Sequence, residues 1–133
     1  GKVKAGQSAA LIGQTDLLAS LSTLVQSPIE ESVVDSRNYL DAWLGKDEIG
    51  REYLVEEAYA MGLRWKNWKY IQPTRDEQPN WITAKFIEAG YCSKPQLYNL
   101  DNDPGEQNNV AEDYPKITLQ LAQKLEEIMQ SHD

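Results

Sequence analysis

Apolar positions recur along this chain with two different periods. Leu17, Leu18, Leu21, Leu24 and Val25 fall three and four residues apart and make one stripe of a helix. Thr15 ahead of them is a favourable N-cap, Asp16 suits the positive end of the helix dipole, and Pro28 closes the segment after Gln26 and Ser27. A second, shorter helix is expected after Ser36, with Leu40, Trp43 and Leu44 on one face and Gly45 at its C-cap. Residues 1–14, GKVKAGQSAALIGQ, are small and Gly-rich, a loop or strand end leading into the first helix.

From Arg51 the period shortens to two. REYLVEEA, AMGLRW, WKYIQP and QLYNL read as short strands. Lys66 and Asn67 supply a two-residue hairpin turn between the second and third, with Asn67 tolerating a left-handed conformation. Residues 73–95 form an unusually long connection, of the kind that is functional or poorly ordered. Pro115 then opens a helix whose Ile117, Leu121, Leu125, Ile128 and Met129 line one side. An antiparallel sheet with one apolar face must bury it, so this helix is expected to lie across the sheet. The expected class is α+β: a small antiparallel sheet with a long C-terminal helix packed on one face, preceded by two helices. The expected division is a helical segment over 1–50 and a sheet-bearing subdomain over 51–133.

The stretch DNDPGE, residues 101–106, begins like a calcium loop. Counted from Asp101, Asp103 and Glu112 fall at positions 3 and 12, but Gly105 stands where position 5 needs a ligand and Glu106 where position 6 needs glycine. A turn is expected instead, with Pro104 fixing φ and the flanking Asp side chains bonding nearby N–H groups.

The 133 residues fit one ordinary domain, and 41% hydrophobic with 26% charged residues describes a globular chain. The apolar runs are too short to span a bilayer, and no leader pattern opens the sequence, so a leader of a secreted parent would lie outside it. A net charge of −8 repels phosphate backbones and argues against a nucleic-acid partner. RWKNWKY, residues 64–70, interleaves aromatic and basic residues as single-strand binders do, but hairpin alternation accounts for it. Cys92 is the single cysteine, so neither an internal disulfide nor a multi-cysteine zinc site is expected, and it reads as a small apolar side chain. The one histidine, His132, lies next to the C-terminus, which argues against a Ser/His/Asp or Cys/His arrangement.

Taken in order, GKVKAGQ with SAALIGQTDLLASLSTL, then DSRNYLDAWLGKD, then WKYI followed by LYNLDNDPGEQNNVA, resemble the C-terminal part of a type-I, formylglycine-dependent sulfatase. The last of these is similar to the family's Y-(D/N)-L-x-x-D-P-x-E-x-x-N-(L/V)-A run. The resemblance covers nearly the whole chain, least of all residues 73–95. It implies a parent that uses formylglycine, made from Cys in Cys-x-(Pro/Ala)-x-Arg, and a calcium ion. Those groups would lie upstream of Gly1, because Cys92 begins CSKPQ, with its Pro one place late and no Arg. No catalytic residue, metal ligand or cofactor is therefore expected in the chain itself.

On this resemblance the chain completes the fold of its parent and lends loops to the rim of the substrate cleft. Segment 1–50 would belong to, or bridge toward, the parent's catalytic domain. Arg75, Asn80, Trp81 and Lys85 of the long connection are the side chains suited to a sulfated carbohydrate or aryl sulfate, cations for the sulfate and an indole for the sugar face. The bland reading is that Trp81 and Phe86 pack the connection down. A parent of this family would be periplasmic or secreted. Two rivals are the C-terminal part of a related phosphoesterase or phosphonate hydrolase, and a free-standing, non-catalytic interaction module. With the catalytic domain absent, the Leu17–Val25 stripe is expected to fold back on the sheet or to form a homodimer.

Overall fold

A computed structural model describes residues 3, 5–29, 35–75, 77–85 and 89–131; Phe86 and His132 lie outside them. The chain divides into two compact units, residues 1–54 and 55–133.

In the first unit a 3-10 turn, Gln14–Asp16, runs into α1 (Leu17–Val25). Gly13, not Thr15, stands at the start. The Asp16 N–H donates to the Gly13 carbonyl at 3.1 Å, and the Asp16 carboxylate accepts the Gly13 N–H at 3.0 Å. Because Asp16 reaches back to the chain before it, the cap shifts toward the N-terminus. The same carboxylate is fully buried. Its Oδ1 accepts the Arg37 N–H at 3.0 Å and Arg51 Nη2 at 2.6 Å, while its Oδ2 accepts Arg51 Nε at 2.8 Å. Arg51 also donates to the Asp35 carbonyl.

Polar contacts continue along the inner side of α1. Ser36 Oγ accepts the Ala19 N–H at 2.9 Å and donates to the Thr15 carbonyl at 2.6 Å, and Ser20 Oγ accepts the Tyr39 N–H at 3.0 Å. Small residues are required on this side for the backbone to come close. Residues 11 and 50 touch backbone to backbone: a Cβ on Gly50 would lie 2.5 Å from the Leu11 nitrogen, and the Arg51 N–H bonds the Leu11 carbonyl at 2.7 Å. α1 ends at Gln26, which takes a left-handed φ of 56° and lets the Ser27 N–H reach the Ser22 carbonyl. α2 (Leu40–Trp43) is one turn, closed by Gly45 at φ 68°. Its buried side chain is Ala42, whereas Trp43, expected on the covered face, is exposed. Among the described residues of this unit the buried apolar side chains are Ala19 and Ala42.

The second unit carries most of the sheet and the large core. β1 (Tyr53–Glu57) crosses from the first unit, and β2 (Met61–Trp65), β3 (Trp68–Ile71) and β4 (Gln96–Asn99) follow in spatial order β1-β2-β3-β4. β2 with β3, and β3 with β4, pair antiparallel, so that Leu63, Tyr70 and Leu97 lie side by side. All three are buried. α4 (Pro115–Gln130) packs on β2 and β3 and contributes Leu121 and Leu125 to this core. Met129, expected on the covered stripe, is exposed, and Thr118 is buried in the first turn, its hydroxyl donating to the Ala111 and Tyr114 carbonyls. At the hairpin tip Lys66, not Asn67, takes the left-handed conformation, with φ 53°. Asn67 is held otherwise: its side chain donates to Asn99 Oδ1 at 3.0 Å and its carbonyl accepts the Leu100 N–H.

Burial alone raises the pKa of Asp16, but the Arg51 guanidinium and the Gly13 and Arg37 N–H groups outweigh it and hold the carboxyl below its ordinary value. A depressed folded pKa stabilises the fold above the unfolded value, near 3.8, and that contribution is lost as pH falls through the folded value. Asp16→Asn, which strands Arg51, is expected to destabilise the first unit by about 3 to 5 kcal/mol in urea unfolding at neutral pH. The difference from wild type should shrink as pH falls below the ordinary carboxylate value and through the depressed value of folded Asp16, where the wild type loses the charge as well.

Candidate functional site

The turn after β4 is the feature that the sequence made most suggestive. Asp103 Oδ1 accepts the Gln107 N–H at 3.0 Å and Oδ2 the Asn108 N–H at 2.8 Å, and these bonds hold the carboxyl below its usual pKa. Asn109 Oδ1 accepts both the Leu97 and Ala111 N–H groups at 3.0 Å, and its amide donates to the Pro95 carbonyl. Glu106 takes a left-handed φ of 54°, and its carboxylate meets Lys69 Nζ at 2.9 Å. Asp103, Glu106 and Asn109 thus hold the turn, β3 and β4 together. Each oxygen of Asp103 accepts one backbone N–H of the turn that follows it.

Residues 73–95 are not wholly irregular. Pro79 accepts the Ile82 N–H, and a short helix, α3 (Asn80–Ala84), forms around Ile82, whose side chain is fully buried. The anchor turns Trp81 outward: its ring meets Tyr59 edge-on at 5.8 Å, and Tyr59 in turn lies 5.8 Å from Tyr91. Lys85 Nζ stands over the Trp81 ring, 6.0 Å from its centroid. Trp81 and Lys85 therefore come together, and Asn80 is exposed at the start of the same helix. Arg75 does not join them. It lines a cavity of about 800 Å³ with Gln72, Ser93, Glu126 and Met129, on the side of the sheet that α4 covers. Tyr59 and Tyr91, which sequence reasoning did not select, belong with Trp81 instead.

A second cavity, about 830 Å³, opens on the other side of the sheet, lined by Gly62, Lys69, Ile71, Gln96 and Tyr98. Side chains on a strand alternate between faces, so these positions are out of phase with the buried Leu63, Tyr70 and Leu97. Lys69 is held between Glu56 at 3.3 Å and Glu106 at 2.9 Å. Tyr91 lines this cavity as well, as do Ala58 and Ala60 on either side of Tyr59.

No family model matches the chain. An N-acetylgalactosamine-6-O-sulfatase of Bacteroides thetaiotaomicron is 37% identical over 130 residues, which are 96% of this chain and 25% of that protein. A solved structure described under glycosaminoglycan metabolism in the same organism superposes with a TM-score of 0.82, at 37% identity, over 96% of this chain and 27% of the other. The chain matches the C-terminal region of a sulfatase. It spans about a quarter of the length of that sulfatase relative. The fold by itself is shared more widely, since a phosphonate monoester hydrolase of Agrobacterium radiobacter superposes at TM-score 0.53 with 20% identity, over 89% of this chain and 25% of that one. It is the sequence identity, not the fold, that separates the two.

In this sulfatase region the residues that would bind formylglycine chemistry or calcium do not fit. Cys92 is followed by Ser-Lys-Pro-Gln, and its backbone is engaged by Thr74, whose N–H and hydroxyl both reach the Cys92 carbonyl. Among the described residues no group of three His, Cys, Asp or Glu side chains could hold a metal ion. No described helix is long and apolar enough to cross a membrane. Asn109→Ala is expected to cost about 1 to 3 kcal/mol in urea unfolding, because the buried Leu97 N–H loses its acceptor. Millimolar calcium should leave the Tm of wild type and variant unchanged.

Proposed function

We propose that this chain is the C-terminal part of a sulfatase, completing the parent's fold and lining the rim of its substrate cleft. The observation that carries the reading is the inverted construction of the first unit. Among its described residues the fully buried side chains are Asp16 and Ser20, while Leu17, Leu18, Leu21, Leu24 and Val25 stand 37% to 67% exposed. A helix that bonds its neighbours through polar groups and turns its leucines outward is built to be covered. The occupant that fits is the rest of the parent, since the relative is about four times as long as the stretch matched. Each leucine so covered stabilises the assembly by roughly 1.5 to 3 kcal/mol.

The reaction assigned to the parent is hydrolysis of a sulfate ester on a sulfated amino sugar, following the relative named for N-acetylgalactosamine 6-O-sulfate. Such cleavage needs a nucleophile, a Lewis acid on the sulfuryl oxygens and cations for the developing charge; formylglycine and calcium would supply the first two from outside this chain. Within it, Asn80, Trp81 and Lys85 are the rim residues, and Arg75, placed on the α4 side, is the weakest of the four assigned. A periplasmic or secreted location goes with this substrate. The phosphonate hydrolase reading is not favoured, because the relative at 37% identity is a sulfatase.

The 133-residue chain should release no sulfate from 6-O-sulfated N-acetylgalactosamine, with or without calcium, whereas the full-length parent should do so. Leu18→Glu with Leu21→Glu in the parent should lower its Tm and its yield of active enzyme, at a cost of about 2 kcal/mol or more per site. A parent that cleaves phosphonate esters and no sulfate ester overturns the reaction. A parent indifferent to both charges overturns the docking of α1.

A further inference from the structure

We infer that Tyr59, Trp81 and Tyr91, with Lys85 and the cleft on the open face of the sheet, form a binding site for a sulfated saccharide that this chain carries by itself. The inference rests on the reading of the chain as part of a sulfatase, and adds the ligand's seat and orientation. Tyr59 and Trp81 are each about half exposed although they touch one another. Their contact is edge-on, 68° between planes, so it leaves ring surface open. The C–H bonds on one side of a pyranose ring are slightly positive and pack on the negative face of an aromatic ring, which also attracts the Lys85 ammonium.

The cleft decides which end of the ligand goes where. Its one lysine, Lys69, is already flanked by Glu56 and Glu106, so the floor offers no uncompensated cation to a sulfate. The Tyr98 hydroxyl donates to Gln96 Oε1 and the Gln96 amide to the Gly90 carbonyl. What the cleft offers sugar hydroxyls is therefore the remaining acceptor capacity of these groups and of the Glu56 and Glu106 carboxylates, with Glu57 and Gln107 also lining it. Lys85, exposed beside the rings, is the cation within reach of a sulfate. The saccharide therefore seats its ring on Trp81 and Tyr91, turns its sulfate to Lys85 and sends its unsulfated end into the cleft. The bridge between the two parts is Tyr91, which belongs to both.

The test is an NMR titration of the full chain with a 6-O-sulfated hexosamine disaccharide and with the same disaccharide lacking its sulfate. Saturable shifts are expected at the Trp81 indole N–H and at Gln96 and Tyr98. Trp81→Ala should weaken both ligands by roughly tenfold. Lys85→Met should weaken only the sulfated one, by about fivefold, leaving the two ligands alike. Arg75→Ala should change neither. If Trp81→Ala loses its dispersed spectrum, Tyr91→Leu carries the stacking test with the same expectation. Absence of saturable shifts up to about 10 mM, or binding that ignores both the sulfate and the aromatic variants, overturns the site. A parent that hydrolyses sulfate esters although the chain fails to bind removes this inference and leaves the proposed function standing. Binding by the chain beside a parent inactive on sulfate esters does the reverse.

Discussion

A carboxylate with no solvent contact must be met by donors, and in the first unit Asp16 is met by Gly13, Arg37 and the Nε and Nη2 donors of Arg51. Those donors lie up to 35 residues from Asp16 along the chain, so satisfying one side chain fixes the start of α1, the chain around Arg37 and the entry to β1. A buried ion pair contributes less than good apolar packing of the same volume, but its geometry admits few alternatives. The consequence is a unit specified by direction rather than by bulk. Its serines and alanines face inward because hydrogen bonds, not leucines, draw the segments together.

The second unit is organised the other way. Leu63, Tyr70 and Leu97 form a cross-strand row beneath Leu121 and Leu125, and burial pushes the Tyr70 hydroxyl's pKa up. On the opposite face Arg64 and Lys69 stand directly across from each other, an arrangement of like charges that is unfavourable alone. Glu56 and Glu106 offset it at Lys69. Glu106 makes this pair from a left-handed backbone, a conformation that costs a non-glycine residue roughly 1 to 2 kcal/mol. The strain is local, and the ion pair ties the acidic turn to the middle strand.

How much of this was legible in the sequence depended on how far apart the interacting residues lie. α4, the strands and the Gly45 cap follow from periods and turn chemistry that act within a few residues. So does the turn at DNDPGE, where Asp103 accepts the Gln107 and Asn108 N–H groups. The hairpin turn was legible but its left-handed residue was not, because Asn67 is recruited by Asn99 across the sheet and Lys66 takes the strained position instead. Thr15 lost the cap to a glycine for a similar reason: a carboxylate three residues on reached back. α3 was hidden in a long connection because five residues carry no period, and Ile82 shows its role only when buried. Of the four substrate candidates, Trp81 in α3 and Lys85 just after it lie four residues apart and stay together, while Arg75 lines the cavity on the other side of the sheet. Tyr59 sits in the bend between β1 and β2 and Tyr91 in a loop, and nothing local marks them as neighbours of Trp81.

β4 lies at the end of the strand order, where an unpaired row of N–H and C=O groups would ordinarily invite a strand from another molecule. At Leu97 both groups are taken from within the chain, the N–H by Asn109 Oδ1 and the carbonyl by the Val110 N–H at 2.9 Å. The segment that leaves the acidic turn thus lies along the edge as a short plug. A foreign strand would have to displace a side-chain amide and a backbone donor together before gaining its first rung. The D-P-x-E-x-x-N run, which is also the stretch that first looked like a calcium loop, thereby supplies at Leu97 the partners that an edge strand otherwise offers to a neighbour.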